Sequence, residues 1–189
     1  MTNKRFKLVL KKIKEVISNS SVKEDLNHAK SVHKNVLILK PEANEALQIA
    51  ALAHDIDRAV EPRTKREDYE NYDEYKHNHA LRSARIIAQI LKKSGYDKDF
   101  IKRVGNLIEK HEIGVKGDVE ILKDADSMAY FQYGLPFYIE THTIEQTEDK
   151  IKFMYNRLSS DAKERIRKIF LSEEVSEKVK KLFLKTIPK

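Results

Sequence analysis

Residues 49–59 read IAALAHDIDRA, so a short run of small and apolar residues ends directly on His54 and Asp55, with Asp57 and Arg58 close behind. An imidazole beside a carboxylate offers nitrogen and oxygen donors. That set suits Mn, Fe, Co, Ni or Zn as divalent ions better than it suits Ca²⁺. The chain contains no cysteine, which excludes disulfides and thiolate metal sites alike. Desolvation makes a buried, unpaired Asp costly, so a carboxylate closing an apolar run points to a cation or to a helix terminus.

Seven histidines are present, and three fall on apolar stripes of separate predicted helices. His54 follows Leu47, Ala50 and Ala51. His79 opens a stretch carrying Ser83, Ile86, Ile87 and Ile90, and His111 follows Val104, Leu107 and Ile108. Asp126 repeats the pattern on a fourth helix behind Val119 and Leu122. Donors converging from several rigid elements are what a divalent cation needs. Neighbouring residues on a helix point about 100° apart, so His54 and Asp55 can serve one centre only where the helix loosens. DIDRAVEP, residues 55–62, supplies that end. His77 and His142 lie off the stripes and read as surface residues, with His77 beside a polar loop.

The elements needed to hold these residues are helical nearly throughout. Phe6, Val9, Leu10, Ile13, Val16 and Ile17 form a first stripe at helical spacing. SVKE at 21–24 has the form of a capping box opening a second helix that stops before Pro41, and a third begins after that proline. A fourth is expected at about 75–94 and a fifth from Asp97 or Asp99 to about 112, followed by a turn at GVKGD. From Thr143 onward two or three further amphipathic helices are expected. Between Asp57 and Tyr75 runs a polar, tyrosine-rich loop whose Arg63, Lys65 and Arg66 could cap an anionic substrate. No β-alternation and no internal repeat is visible. The reading is a single all-α domain, a helical bundle over residues 1–189, with a C-terminal helical extension at about 143–189.

With 189 residues and 40% hydrophobic content, the chain can bury one real core. Its longest apolar runs fall far short of the roughly 20 residues of a membrane helix, and no secretory leader is visible at its start, so a cytoplasmic location is expected. Residues 150–189 carry 12 Lys/Arg against 5 Asp/Glu, and residues 1–18 carry 6 against 1. The formal charge is +7, so the stretch between is net −5. Basic ends can attract polyanions, although Lys-rich helices are commonly just solvated.

Taken together, NHAKSV (27–32), HD (54–55), HALRSARIIAQIL (79–91), LIEKHE (107–112) and LKDADSM (122–128) resemble, in order, the H…HD…H…H…D pattern of the HD-domain metal-dependent phosphohydrolases. The resemblance covers about residues 20–135, which it identifies as the HD-domain core. It selects His28 as first ligand, where helix periodicity alone favours His33, and Asp126 over Asp124. It implies that His28, His54, Asp55 and Asp126 hold one cation. Asp55 could bridge to a second held by His79 and His111; otherwise those two orient the phosphoryl or leaving group. The chemistry implied is attack by a water whose pKa the cation lowers from about 16 to near 7. Asp57 is a candidate proton acceptor and Arg58 a candidate phosphate clamp, with an exposed ion pair as the plainer alternative.

The expected activity is hydrolysis of a small phosphate ester or anhydride, a nucleotide foremost. Two other readings are a nuclease on single-stranded nucleic acid, encouraged by the basic C-terminus, and a non-catalytic metal-containing binding module. Dioxygen activation at a His/Asp site is also compatible with these residues. Structural zinc sites are closed, four-coordinate and often Cys-rich, so six candidate ligands without Cys favour open positions and chemistry.

Overall fold

The computed structural model describes residues 4–114, 116–171 and 175–187. Among them there is no strand; the chain is an all-α bundle. The helices are α1 (Lys4–Ile17), α2 (Asp25–Leu39), α3 (Glu45–Ala53), α4 (Tyr72–Lys93), α5 (Lys98–Lys110), α6 (Gly117–Ala129), α7 (Leu135–Thr141), α8 (Ile144–Arg157), α9 (Ser160–Leu171) and α10 (Glu177–Thr186). No helix among the described residues is long and apolar enough to cross a membrane.

The centre of the bundle is α3. Seven of its nine residues, EALQIAALA, are buried, and a helix that is apolar nearly all round belongs in the middle of a core. It is opened by Asn44, whose side chain accepts from Leu47 N–H at 3.0 Å, three residues later than Pro41 suggested. Around it pack the buried faces of α1, α2, α4, α5 and α6, with Ile13, Val36, Ile87 and Ile108 fully enclosed. The helix after Pro41 therefore does what its composition requires, and it delivers His54 into the interior.

Local chemistry fixes the other ends. Gly95, at φ +77°, ends α4 in the left-handed region, and Tyr96 N–H reaches back to the Leu91 carbonyl at 3.2 Å. Asp97 then caps α5 by accepting from Phe100 N–H at 2.8 Å. The capping box expected at 21–24 does not form. Glu24 precedes α2 without a side-chain cap, and Ser20 instead donates to Asp25 at 2.5 Å. The turn expected at GVKGD includes Val115, which lies outside the described residues.

The last third is not a loose extension. After α6, a π-helical turn at Tyr130–Gly134 leads into α7, and α7 to α10 close on a second hydrophobic cluster. Phe131, Phe170 and Phe183 form its centre; the latter two rings stack at 3.9 Å. The two clusters meet along α6, whose Leu122 and Ala125 face the first and whose Met128 faces the second. Asp124, buried on α6, accepts from the backbone N–H and hydroxyl of Ser159, at 2.9 and 2.5 Å, and so ties α6 to the start of α9.

Candidate metal centre

Two of the sequence-selected histidines end their helices in the same way. His54 follows α3 and His111 follows α5, and each ring turns back so that Nδ1 meets the carbonyl three residues earlier, Ala51 at 3.0 Å and Ile108 at 2.6 Å. A carbonyl can only accept, so Nδ1 carries the hydrogen in both rings. The bond satisfies a carbonyl that the helix end leaves over, and it leaves Nε2 as the lone-pair donor.

The Nε2 of His54 points at two partners. His28 Nε2, from α2, lies 3.3 Å away, and Asp126 Oδ1, from α6, lies 3.6 Å away; His28 to Asp126 is 3.2 Å. Asp55 adds Oδ2 at 3.6 Å from the same nitrogen. Donors about 2.1 Å from one ion stand roughly 3 to 3.4 Å apart at octahedral or tetrahedral angles, which is close to these separations. His28, His54 and Asp126 form a largely buried group that could hold a metal ion. His33 stays out of it, bonded instead to Gln48 at 3.3 Å. Asp124 is likewise engaged elsewhere, at Ser159.

The charges reinforce one another. Burial opposes ionisation of Asp55, but Arg58, His54 and His79 hold its pKa well below the usual carboxylate range. Burial is likewise overcome at Asp126, by hydrogen bonds from His28 and His54 and by the charge of Arg157. The same carboxylates raise the pKa of His54 against the effect of burial. Burial wins at His111, whose pKa is lowered, with the neighbouring His54 acting in the same direction. Protons and a cation compete for the same nitrogen lone pairs here.

His79 is built differently. Its Nε2 is 2.8 Å from Asp55 Oδ1 and its Nδ1 is 2.9 Å from Asp57 Oδ2, so both ring nitrogens are held by carboxylates. Burial lowers its pKa, but Asp55 and Asp57 raise it to about 9 overall. The expected second-cation pair is not assembled. Among the described residues His79 and His111 do not join a common donor group; one faces Asp55 and Asp57, the other lies against His54.

Asp57 departs from both readings the sequence allowed. It is neither an exposed ion-pair partner at the helix end nor open to a cleft water, because its carboxylate is fully buried. It accepts from His79 and from Thr64 N–H at 3.2 Å, and it pairs with Arg82 of α4. Its own N–H donates to Ser83 Oγ at 3.2 Å, pinning the turn at 56–59 onto α4. The residue positions His79, which positions Asp55.

The centre opens on a cavity of about 340 Å³. Its polar floor comprises His28, Asp55, His111 and Asp126. Its cations are Arg58, Lys150 and Arg157, and Tyr72, Tyr130 and Phe137 are among its rings. Arg58, the candidate phosphate clamp, lies 2.9 Å from Asp55. Arg63, Lys65 and Arg66 do not line the cavity; Arg66 turns back to the Tyr69 carbonyl at 2.6 Å. Residues that sequence reasoning missed take that place. Arg157 reaches from α8 to Asp126 at 3.3 Å and to Glu112 at 3.1 Å. The available signal was the i, i+4, i+7 spacing of Lys150, Met154 and Arg157, three cavity-lining residues on one face of α8.

Over residues 11–181 the chain matches the family described as "Domain of unknown function (DUF4202)". It belongs to that family. The matched span takes in the ligand group, the cavity and nearly all of both hydrophobic clusters, so the DUF4202 unit includes the C-terminal helices that complete the site. Neither a curated protein nor a solved structure matches the chain.

Proposed function

We propose that this protein is a metal-dependent phosphohydrolase of the HD-domain kind, acting on a small phosphate ester or anhydride, a nucleotide foremost. One observation carries the reading: three mutually facing donors, His28, His54 and Asp126, with Asp55 beside them, of which all but the fully buried His54 line a cavity that also presents three cationic side chains. These residues would hold a divalent transition ion, which would lower the pKa of a bound water to near 7 and offset charge on phosphoryl oxygens.

The remaining roles fall to the chain's own groups. In this reading the nucleophile is a water activated at the cation, and the cavity lining offers no Ser, Thr or Cys beside it. Burial raises the Tyr72 phenol to about 12, which keeps it protonated. Asp57 and His79 fix the orientation of Asp55, the kind of outer-shell support whose loss commonly costs 10- to 100-fold. Arg58 can meet a phosphoryl oxygen while still tethered to Asp55. His111 presents its Nε2 lone pair as an acceptor. At about 340 Å³ the cavity is at the small end of ligand sites, suited to a mononucleotide-sized molecule and not to a polymer.

The test is a screen with added Mn²⁺, Co²⁺ or Ni²⁺ against nucleoside mono-, di- and triphosphates, cyclic nucleotides, an aryl phosphate and single-stranded DNA and RNA. Turnover of a small phosphate, abolished by chelator and only mildly sensitive to salt, is expected. Metal-loaded protein inert on every small phosphate overturns the reading. Rapid, steeply salt-inhibited cleavage of nucleic acid replaces it with a nuclease.

A further inference from the structure

The three cations in the cavity are not equally available. Arg58 lies 2.9 Å from Asp55 and 3.7 Å from Asp25, and Arg157 lies 3.1 Å from Glu112 and 3.3 Å from Asp126. Each guanidinium is therefore already balanced by two carboxylates. Lys150 forms no ion pair among the described residues. Its ammonium instead sits 5.2 Å from the Phe153 ring centroid, 5.8 Å from Tyr130 and 6.0 Å from Tyr72. Ring faces attract a cation but only partly replace lost water. Burial accordingly lowers the pKa of this amine, although Asp126 and Glu112 pull in the other direction. A half-buried ammonium walled by rings and in direct contact with no carboxylate among the described residues leaves a place for an anion from outside the chain.

We propose that Lys150 is the phosphate-binding residue of this cavity and that it selects terminal phosphomonoesters over phosphodiesters. The inference rests on the phosphohydrolase reading of the same site. A monoester near neutral pH carries close to two negative charges on three free oxygens. A diester carries one charge on two. The metal group and its tethered arginines can satisfy two oxygens of either ligand. Only the monoester has a third oxygen, and the second charge, for an ammonium with no other partner. The same asymmetry disfavours nucleic-acid strands, whose internal phosphates are all diesters.

The experiment uses the full chain loaded with Mn²⁺, as wild type, Lys150→Met and Lys150→Arg. Methionine keeps an unbranched apolar stem against the rings, and no ion pair is lost, so the fold is retained; arginine restores the charge. Binding of inorganic phosphate is measured by calorimetry, and kcat/KM is measured on p-nitrophenyl phosphate and bis-p-nitrophenyl phosphate. For Lys150→Met, phosphate affinity and monoester kcat/KM are expected to fall about 10- to 100-fold, the range for one hydrogen bond to a charged group. Diester kcat/KM should stay within about twofold and Mn²⁺ content should not change, while Lys150→Arg recovers most of the affinity. Unchanged phosphate binding in Lys150→Met, or equal loss on both esters, overturns the proposal. If wild type binds phosphate through Lys150 yet hydrolyses neither ester, the hydrolase reading fails and the anion site stands.

Discussion

Two groups of buried titratable residues meet at Asp55, and they satisfy themselves in opposite ways. On one side His28, His54 and Asp126 face one another with ligand atoms 3.2 to 3.6 Å apart. On the other side Asp55, His79, Asp57 and Arg82 alternate in charge, each bonded to the next. The second chain sets each charge against an opposite one. The first brings two imidazole nitrogens and a carboxylate together, a group that could hold a metal ion. Position on an apolar stripe is thus a poor guide to role: His54 and His79 both occupy one, and only His54 turns a free nitrogen toward other donors.

The largest effect expected from breaking this contrast is at His54. His54→Asn should leave the protein without bound divalent metal and without turnover, measured by elemental analysis after Mn²⁺ loading and by phosphate release. Metal retained at the wild-type level removes His54 from the ligand group.

Asp57→Asn attacks the other side. It leaves Arg82 and His79 without their shared carboxylate, and breaking a buried ion pair costs about 3–5 kcal/mol. Arg82 is 31% exposed, so water recovers part of that and about 2–4 kcal/mol is expected by urea denaturation. Metal stoichiometry should survive. A stability change near zero shows that the chain from Arg82 to Asp55 is not a structural unit.

His79→Gln should keep one cation bound while activity drops about 10- to 100-fold, through a less firmly oriented Asp55. Metal content falling to zero instead makes His79 a ligand and erases the distinction between the two groups.

What the sequence made legible, and what it did not, follows the range of the interactions. The apolar composition of α3 placed His54 inside, and helical spacing placed His79, His111 and Asp126 there too. Periodicity alone favoured His33 on α2, but the choice depends on which neighbour each histidine meets, Asp126 for His28 and Gln48 for His33. Asp57 was misread because its partners, Thr64 seven residues on and Arg82 on α4, come from a loop and a helix whose docking no local pattern encodes. Lys150 and Arg157 were passed over because α8 looked like any charged amphipathic helix. Only the second hydrophobic cluster, which packs α8 beside α6, turns that face into the cavity.

His33 provides the smallest test, away from the metal group. Burial lowers its pKa below 6.5, helped by Lys14 and opposed by the bond to Gln48. Above pH 7 both folded and unfolded chains hold it neutral. As pH falls through 6.5 the unfolded chain takes up the proton first, so stability declines until the folded-state pKa is also passed. His33→Gln should flatten the fall in stability between pH 7 and 5 relative to wild type. An identical slope removes His33 from the acid sensitivity.

The central claim is that His28, His54 and Asp126, with Asp55, are a divalent-metal site. Calorimetric titration of chelator-treated wild-type protein with Mn²⁺ and with Co²⁺, alongside the visible spectrum of the Co²⁺ form, tests it most directly. The account predicts saturable binding of at least one ion per chain and a cobalt spectrum of mixed nitrogen and oxygen ligation. Absence of saturable binding for both ions, in protein that is folded by circular dichroism, contradicts it.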